Sequence, residues 1–296
     1  MTSSLIVATG ATGQLGQTLS RLWAESPLPQ YQLEALDRSE LDISQADRAI
    51  AVLSELKPAV IINAAAYTQV DKAESDSSAA HLVNAEAVGR IAAWSAQNNA
   101  KLIHISTDFV FDGSSTTPYR PDHQTNPLGA YGASKLAGEH EIQTQAKQCS
   151  AIIRTSWLYS EYGNNFVKTM LRLMGEREQL SVVNDQIGSP TSTHGLAALI
   201  FAMIPKDNYQ GVYHWTDGAS ISWYEFAQEI QDQAIQAGLL SKAIPISPIS
   251  TSEYPTAAQR PAYSVLDRSR AKAEFECPVE DWKGQLNLVI KELASK

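Results

Sequence analysis

A doubly wound α/β fold with a parallel sheet, joined to a smaller C-terminal α/β unit, is what this sequence predicts. Three observations point there. Short β-branched runs alternate with amphipathic stretches through the first half of the chain. The runs are apolar almost throughout, as in AVIINAAA from Ala59, which suits strands covered on both faces. Glycines at 10, 13 and 16 sit between the first such run and the first helical pattern.

The elements follow in order. Strands are expected at Leu5–Thr9, Gln32–Asp37, Val60–Asn63, Lys101–Ser106 and Ala151–Thr155. Helices are expected between them, at Gln14–Glu25, Ser44–Leu56, Asp76–Asn98 and Tyr131–Ala146. Mixed three and four spacing of apolar residues also marks LAALIFAMI from Leu196 as helical. Beyond about residue 160 the rhythm loosens. PISPISTSEYPTAAQRP, from Pro245, reads as a long ordered surface loop, and WKGQLNLVIKEL as a closing helix.

Composition narrows the function. The 296 residues are 44% hydrophobic and 19% charged, an ordinary globular balance. The net charge of −9, without a basic cluster, argues against a nucleic-acid partner. Two cysteines, Cys149 and Cys277, suit a reduced compartment. No Cys or His spacing suggests a metal, no apolar run approaches a bilayer span, and the short LIVA run lacks the basic start of a signal peptide. A cytoplasmic location is expected, with no membrane partner.

The stretch IVATGATGQLGQTLSRL from Ile6 offers a phosphate cradle. Glycine lets the backbone turn tightly and approach a pyrophosphate, and the following helix start offers free N–H groups. Asp37 stands about 20 residues past the last glycine, where an acid would meet the adenosine ribose. Its neighbour Arg38 would instead meet a 2′-phosphate, so NADH and NADPH both stay open. The alternative is a packing turn followed by a surface Asp. The fold this implies is Rossmann-like, and the Gly-x-x-Gly-x-x-Gly spacing sets it apart from the simple dehydrogenases.

YGASK places Tyr131 and Lys135 on one helix face, after a strand that ends HISTDFVFDG. A phenol near pKa 10 is a reluctant acid-base at neutral pH. A nearby ammonium stabilises the phenolate and draws it toward the working range. Thr107 can donate to a carbonyl oxygen from just past the strand. These parts suit reduction of a carbonyl by a nicotinamide cofactor. The alternative is an exposed Tyr and Lys pair on an ordinary helix.

With these residues, the chain resembles the extended short-chain dehydrogenase/reductase family, and within it the branch acting on dTDP-linked 4-keto sugars. GATGQLGQ and NPLGAYGASKLAGE belong to the wide family. NAAAYTQVDKAE, STDFVFDG, RTSWLY, GNNFVKTMLRL, VVNDQIGSPT and RPAYSVLD, in this order, are more specific to the branch. The resemblance implies a catalytic Thr107, Tyr131 and Lys135, with Tyr131 as proton donor. It implies Gly10, Gly13, Gln14, Leu15 and Gly16 at the pyrophosphate, Asp37, Asp42 and Ile43 at the ribose and adenine, and Ala65, Ala66, Tyr67 and Thr68 along the cofactor. Asp108 and Trp157 match positions that touch the sugar, Trp157 being equally open to a core role. Asn164 and Asn165 can cap a helix or meet a phosphate, Gln186 would face the nucleotide, and Arg260 a pyrophosphate oxygen.

The implied reaction is reduction of the C4 carbonyl of dTDP-4-dehydro-β-L-rhamnose by NADPH or NADH, giving dTDP-β-L-rhamnose. Residues 1–163 with about 192–220 would hold the dinucleotide, and about 164–191 with 221–296 the nucleotide sugar. Homodimerisation is open. Some members are described with a carboxylate-held metal between subunits; here Thr18 and His194 stand at two of those positions, His194 reading as a surface histidine. Two alternatives remain: a nucleotide-sugar epimerase or dehydratase on the same scaffold, and a non-catalytic subunit like the regulatory subunit of methionine adenosyltransferase. Phe109 after Asp108 lacks the Asp-Glu pair usual in a dehydratase.

Overall fold

The computed structural model of the chain describes residues 3–277 and 281–295. Six strands form a wholly parallel sheet: β1 Ser4–Thr9, β2 Tyr31–Leu36, β3 Val60–Asn63, β4 Lys101–Thr107, β5 Ser150–Thr155 and β6 Gly211–His214. Their order is β6-β5-β4-β3-β1-β2. The direction of winding reverses between β1 and β3, and ligands of such sheets bind at the strand ends beside that reversal. The five expected strands are present within a residue or so of their expected ends. The sixth, β6, has no sequence expectation behind it, because four residues of GVYH carry too little pattern.

Alternation along the strands divides the core in two. Ile6, Ala8, Val60, Ile62, Ile103 and Ile153 face one side of the sheet, with Leu15 and Leu19 of helix α1 (Gln14–Glu25). Val7, Ile61, Leu102 and Ile152 face the other, against α2 (Ala46–Leu56), α3 (Ala87–Gln97) and α4 (Ala130–Gln145). The single helix expected over Asp76–Asn98 is broken. Ser77–His81 and α3 flank a π-helical turn at Leu82–Glu86, where one extra residue shifts the phase.

A third core lies beyond the strand ends. Tyr159, Val167, Met170, Phe226, Ile230, Leu286, Val289 and Ile290 are its centre. It is built by α5 (Phe166–Glu176), α7 (Trp223–Gln236) and α8 (Trp282–Ala294), the last being the expected closing helix. LAALIFAMI lies in α6 (Thr193–Met203) and packs on the sheet instead. Ala271 and Phe275 also join the sheet core, although the sequence assigns everything past 221 to the second unit. The expected loop from Pro245 is partly a strand: Ile246–Ile249 pairs in parallel with Leu180–Val183. Pro248 is tolerated there because it lies in a two-stranded pair, at an edge.

Candidate active site

The site is built from the ends of β1, β3 and β4. Gly10 follows β1 with φ +74°, a conformation that favours glycine, and a Cβ there would stand 3.1 Å from the Ala65 backbone after β3. A Cβ on Gly16 would run into the Gly10 carbonyl oxygen. These glycines therefore bring helix α1, the turn and the third strand's exit together. Gly13 is the N-cap of α1 and no side chain caps it, so the helix start is presented bare. It opens on a cavity of about 980 Å³.

Gly10, Gly13, Gln14, Leu15 and Gly16 line that cavity, as do Ala65, Ala66, Tyr67 and Thr68. Arg38, Asp42 and Ile43, after β2, line it too. Asp37 does not. Its Oδ1 accepts from the Ser39 N–H at 2.7 Å and the Ser39 hydroxyl at 2.6 Å, closing its own turn. These bonds hold its carboxyl below the usual range. Asp37 therefore closes its own turn through Oδ1, outside the lining of the cavity. Arg38 remains at the rim, its Nε donating to Asp42 at 3.1 Å.

Thr107, Asp108, Tyr131 and Lys135 meet where β4 ends against α4, lining the same cavity. The Thr107 hydroxyl donates to Asp108 Oδ1 at 3.0 Å and accepts from the Phe109 N–H. The Tyr131 ring lies edge-on to Phe109, and its enclosed hydroxyl sits beside Thr107. Burial pushes this phenol up to about 12, with Thr107 opposing and Asp108 adding to the rise. The expected drop under Lys135 is not found. The Lys135 Nζ donates to the Ile105 carbonyl at 2.7 Å and stands 3.3 Å from His104. Burial pulls Lys135 down to about 8, against the pull of Glu139. Asp108 is buried and pushed up to about 6, chiefly by that burial, and its Oδ2 has no hydrogen-bond partner.

A smaller cavity adjoins the first. Asp108, Trp157, Gln186, Trp223 and Arg260 line it. Trp157 lies in both, stacked on Trp223 with centroids 3.6 Å apart, its backbone at φ +48°. Gln186 donates to the Thr251 hydroxyl at 3.0 Å. Arg260 is already paired, donating to both Asp71 oxygens at 3.0 and 2.8 Å. Asn165 lines neither cavity. It caps α5 by accepting from the Lys168 N–H, and its amide donates to Gln14 Oε1 at 2.8 Å. Its neighbour Asn164 reaches the large cavity instead. His194 is paired with Glu161 at 3.1 Å and nearly buried, not a surface group, and Thr18 bonds Thr193 at 2.6 Å. Among the described residues no cluster of three or more His, Cys, Asp or Glu could hold a metal, and no helix is long and apolar enough to cross a membrane.

Sequence reasoning missed the supports. Asn84, in the π turn, accepts from the Tyr67 N–H at 2.9 Å and donates to the Tyr67 carbonyl and to Ser134, each at 3.0 Å. It ties the cofactor-side segment to the helix carrying Lys135. Glu139, one turn past Lys135, holds Arg154 bidentately and accepts from Ser106. The i, i+4, i+8 spacing of Tyr131, Lys135 and Glu139 is the signal that could have found it.

Residues 4–295 match the family model described as RmlD substrate binding domain. The chain belongs to that family. It is 42% identical over 286 residues to a dTDP-4-dehydrorhamnose reductase of Aggregatibacter actinomycetemcomitans, covering 95% of this chain and 96% of that one. A Burkholderia thailandensis protein of the same name is 38% identical, covering 98% and 99%. The crystal structure of dTDP-4-dehydrorhamnose reductase from Bacillus anthracis in complex with NADP superposes with a TM-score of 0.90 at 39% identity, covering 98% of this chain and 99% of that chain. The RmlD family assignment therefore spans both cavities and all three cores.

Proposed function

We propose that this RmlD-family chain reduces the C4 carbonyl of dTDP-4-dehydro-β-L-rhamnose with NADPH or NADH, giving dTDP-β-L-rhamnose, a precursor for polysaccharide. The observation that carries the reading is the meeting of Thr107, Tyr131 and Lys135 in one cavity that the glycine turn and Arg38 also line. A dinucleotide fits that cradle: the bare start of α1 meets a pyrophosphate, and the Gly10–Ala65 approach leaves the backbone open to it. The nicotinamide, when bound, supplies the hydride.

The chain's own residues do the rest. Tyr131 is protonated throughout the physiological range and gives its proton to the C4 oxygen as charge develops there. Thr107 orients that oxygen. Lys135, one helical turn on and lining the same cavity, stabilises the phenolate left behind. Trp157 and Trp223 offer an aromatic face to the sugar, Gln186 and Arg260 polar groups to the nucleotide. Arg38 at the rim, with Asp37 folded into its own turn, favours a 2′-phosphate and so NADPH. Unpaired Cys149 and Cys277 accord with a cytoplasmic setting.

The test is cofactor oxidation on addition of the dTDP-4-keto sugar. Oxidation that needs both added NADPH and the sugar supports the reductase. A protein that carries its cofactor through purification and needs none added is an epimerase. No turnover on any nucleotide sugar, with a synthetase co-purifying, marks a regulatory subunit.

A further inference from the structure

A charged Lys135 has three Nζ hydrogens, and two directions around it are taken. The Ile105 carbonyl accepts at 2.7 Å and His104 Nε2 stands at 3.3 Å. His104 is wholly buried. Its Nδ1 is 3.0 Å from the Asn63 amide nitrogen, and Asn63 Oδ1 accepts the Thr9 hydroxyl at 2.8 Å. Thr9 Oγ1 in turn accepts from the Ala65 N–H at 3.1 Å. Thr9, Asn63 and His104 are in register across β1, β3 and β4. A polar row therefore crosses the sheet from the root of the glycine turn to Lys135.

Burial and the neighbouring Lys135 hold His104 well below its ordinary range, so the ring is neutral, with one donor and one acceptor. With the Asn63 nitrogen toward the ring, Nδ1 accepts and Nε2–H points at Lys135, which suits an uncharged amine. Turning the amide over reverses the row: Nδ1–H donates to Asn63, Nε2 accepts from an ammonium, and the Asn63 amide donates to Thr9 Oγ1 in place of accepting from it. The charge-assisted arrangement is the stronger, so a charged Lys135 selects it. Glu139, from the same helix and itself paired with Arg154 from β5, also acts on Lys135, and Tyr131 and Asp108 line the same cavity.

We propose that His104 is a positioning residue for proton transfer at Tyr131: it occupies one Lys135 hydrogen, Ile105 a second, and the third is left for the cavity. This rests on the reductase reading.

The experiment is the pH profile of kcat for the wild type, His104→Phe and His104→Gln, with NADPH and the dTDP-4-keto sugar. Loss of the acceptor weakens the ammonium, so the alkaline limb moves down by about one pH unit in His104→Phe. It returns toward the wild type in His104→Gln, whose amide oxygen accepts. A limb that stays in place in His104→Phe overturns the proposal. Should that variant not fold, Asn63→Asp serves: a carboxylate only accepts, fixes Nδ1–H and moves the limb up, and an unmoved limb is again contrary. The ring's ¹⁵N shifts test the row without turnover, so failure of the reductase reading is seen separately. A neutral Nδ1–H ring at pH 7 agrees; an Nε2–H ring or an imidazolium contradicts.

Discussion

Asp108 is buried and Tyr131 half-buried beside Thr107, and loss of solvent raises both, with different consequences. For Tyr131 the phenol stays protonated, as the proposed proton donor to C4 must be. Tyr131→Phe should bind NADPH nearly as well, by fluorescence titration, and lose at least about 100-fold in kcat. For Asp108 the consequence is instability. Its folded value of about 6 lies above the ordinary 3.8, so the native state binds the extra proton between them. The penalty is absent below about pH 4, grows as pH rises through 6, and is constant above. Asp108→Asn should therefore melt higher at pH 8, on the order of 5 °C, with no gain at pH 4. A gain independent of pH would contradict this account. The pairing of Tyr131 with Lys135 was legible, because i and i+4 share a face. The depth of their burial was not, since β4, α4 and the π turn that enclose them are brought together only by the fold.

At the scale of elements, the glycine turn is what the first strand and helix contribute to the site. Gly10→Ala forces an unfavourable φ and presses on Ala65, at a cost of about 1–2 kcal/mol. NADPH affinity should fall at least about tenfold, measured by the same titration. In the proposed reading, Arg38 in the turn after β2 meets the 2′-phosphate. Arg38→Ala should raise KM for NADPH roughly tenfold while leaving NADH within about twofold; equal effects on both would remove Arg38 from the 2′-phosphate. The sequence makes Asp37 and Arg38 rivals, because spacing locates both. The Ser39 bonds to Asp37 are visible only in the fold, because a turn's internal hydrogen bonds leave no periodicity. The π turn at Leu82–Glu86 escaped for a related reason: one inserted residue leaves helical spacing intact on either side.

At the scale of the molecule, Asp71 and Arg260 join the short helix Val70–Ala73 to the C-terminal loop, tying the sheet unit to the segment that covers the smaller cavity. Arg260→Ala should raise KM for the nucleotide sugar about tenfold and change KM for NADPH little, as Arg260 lines only the smaller cavity. The layered sheet was legible because its strands are continuous apolar runs. The strand at Ile246–Ile249 was hidden by its prolines, and β6 by its brevity. In the proposed reaction, hydride reaches C4 of the sugar beside Tyr131. NADPH deuterated at the transferring position, incubated with the dTDP-4-keto sugar, tests it most directly by NMR of the product. One deuterium is expected, at C4. Deuterium at another carbon, or cofactor consumed with none in the sugar, would contradict it.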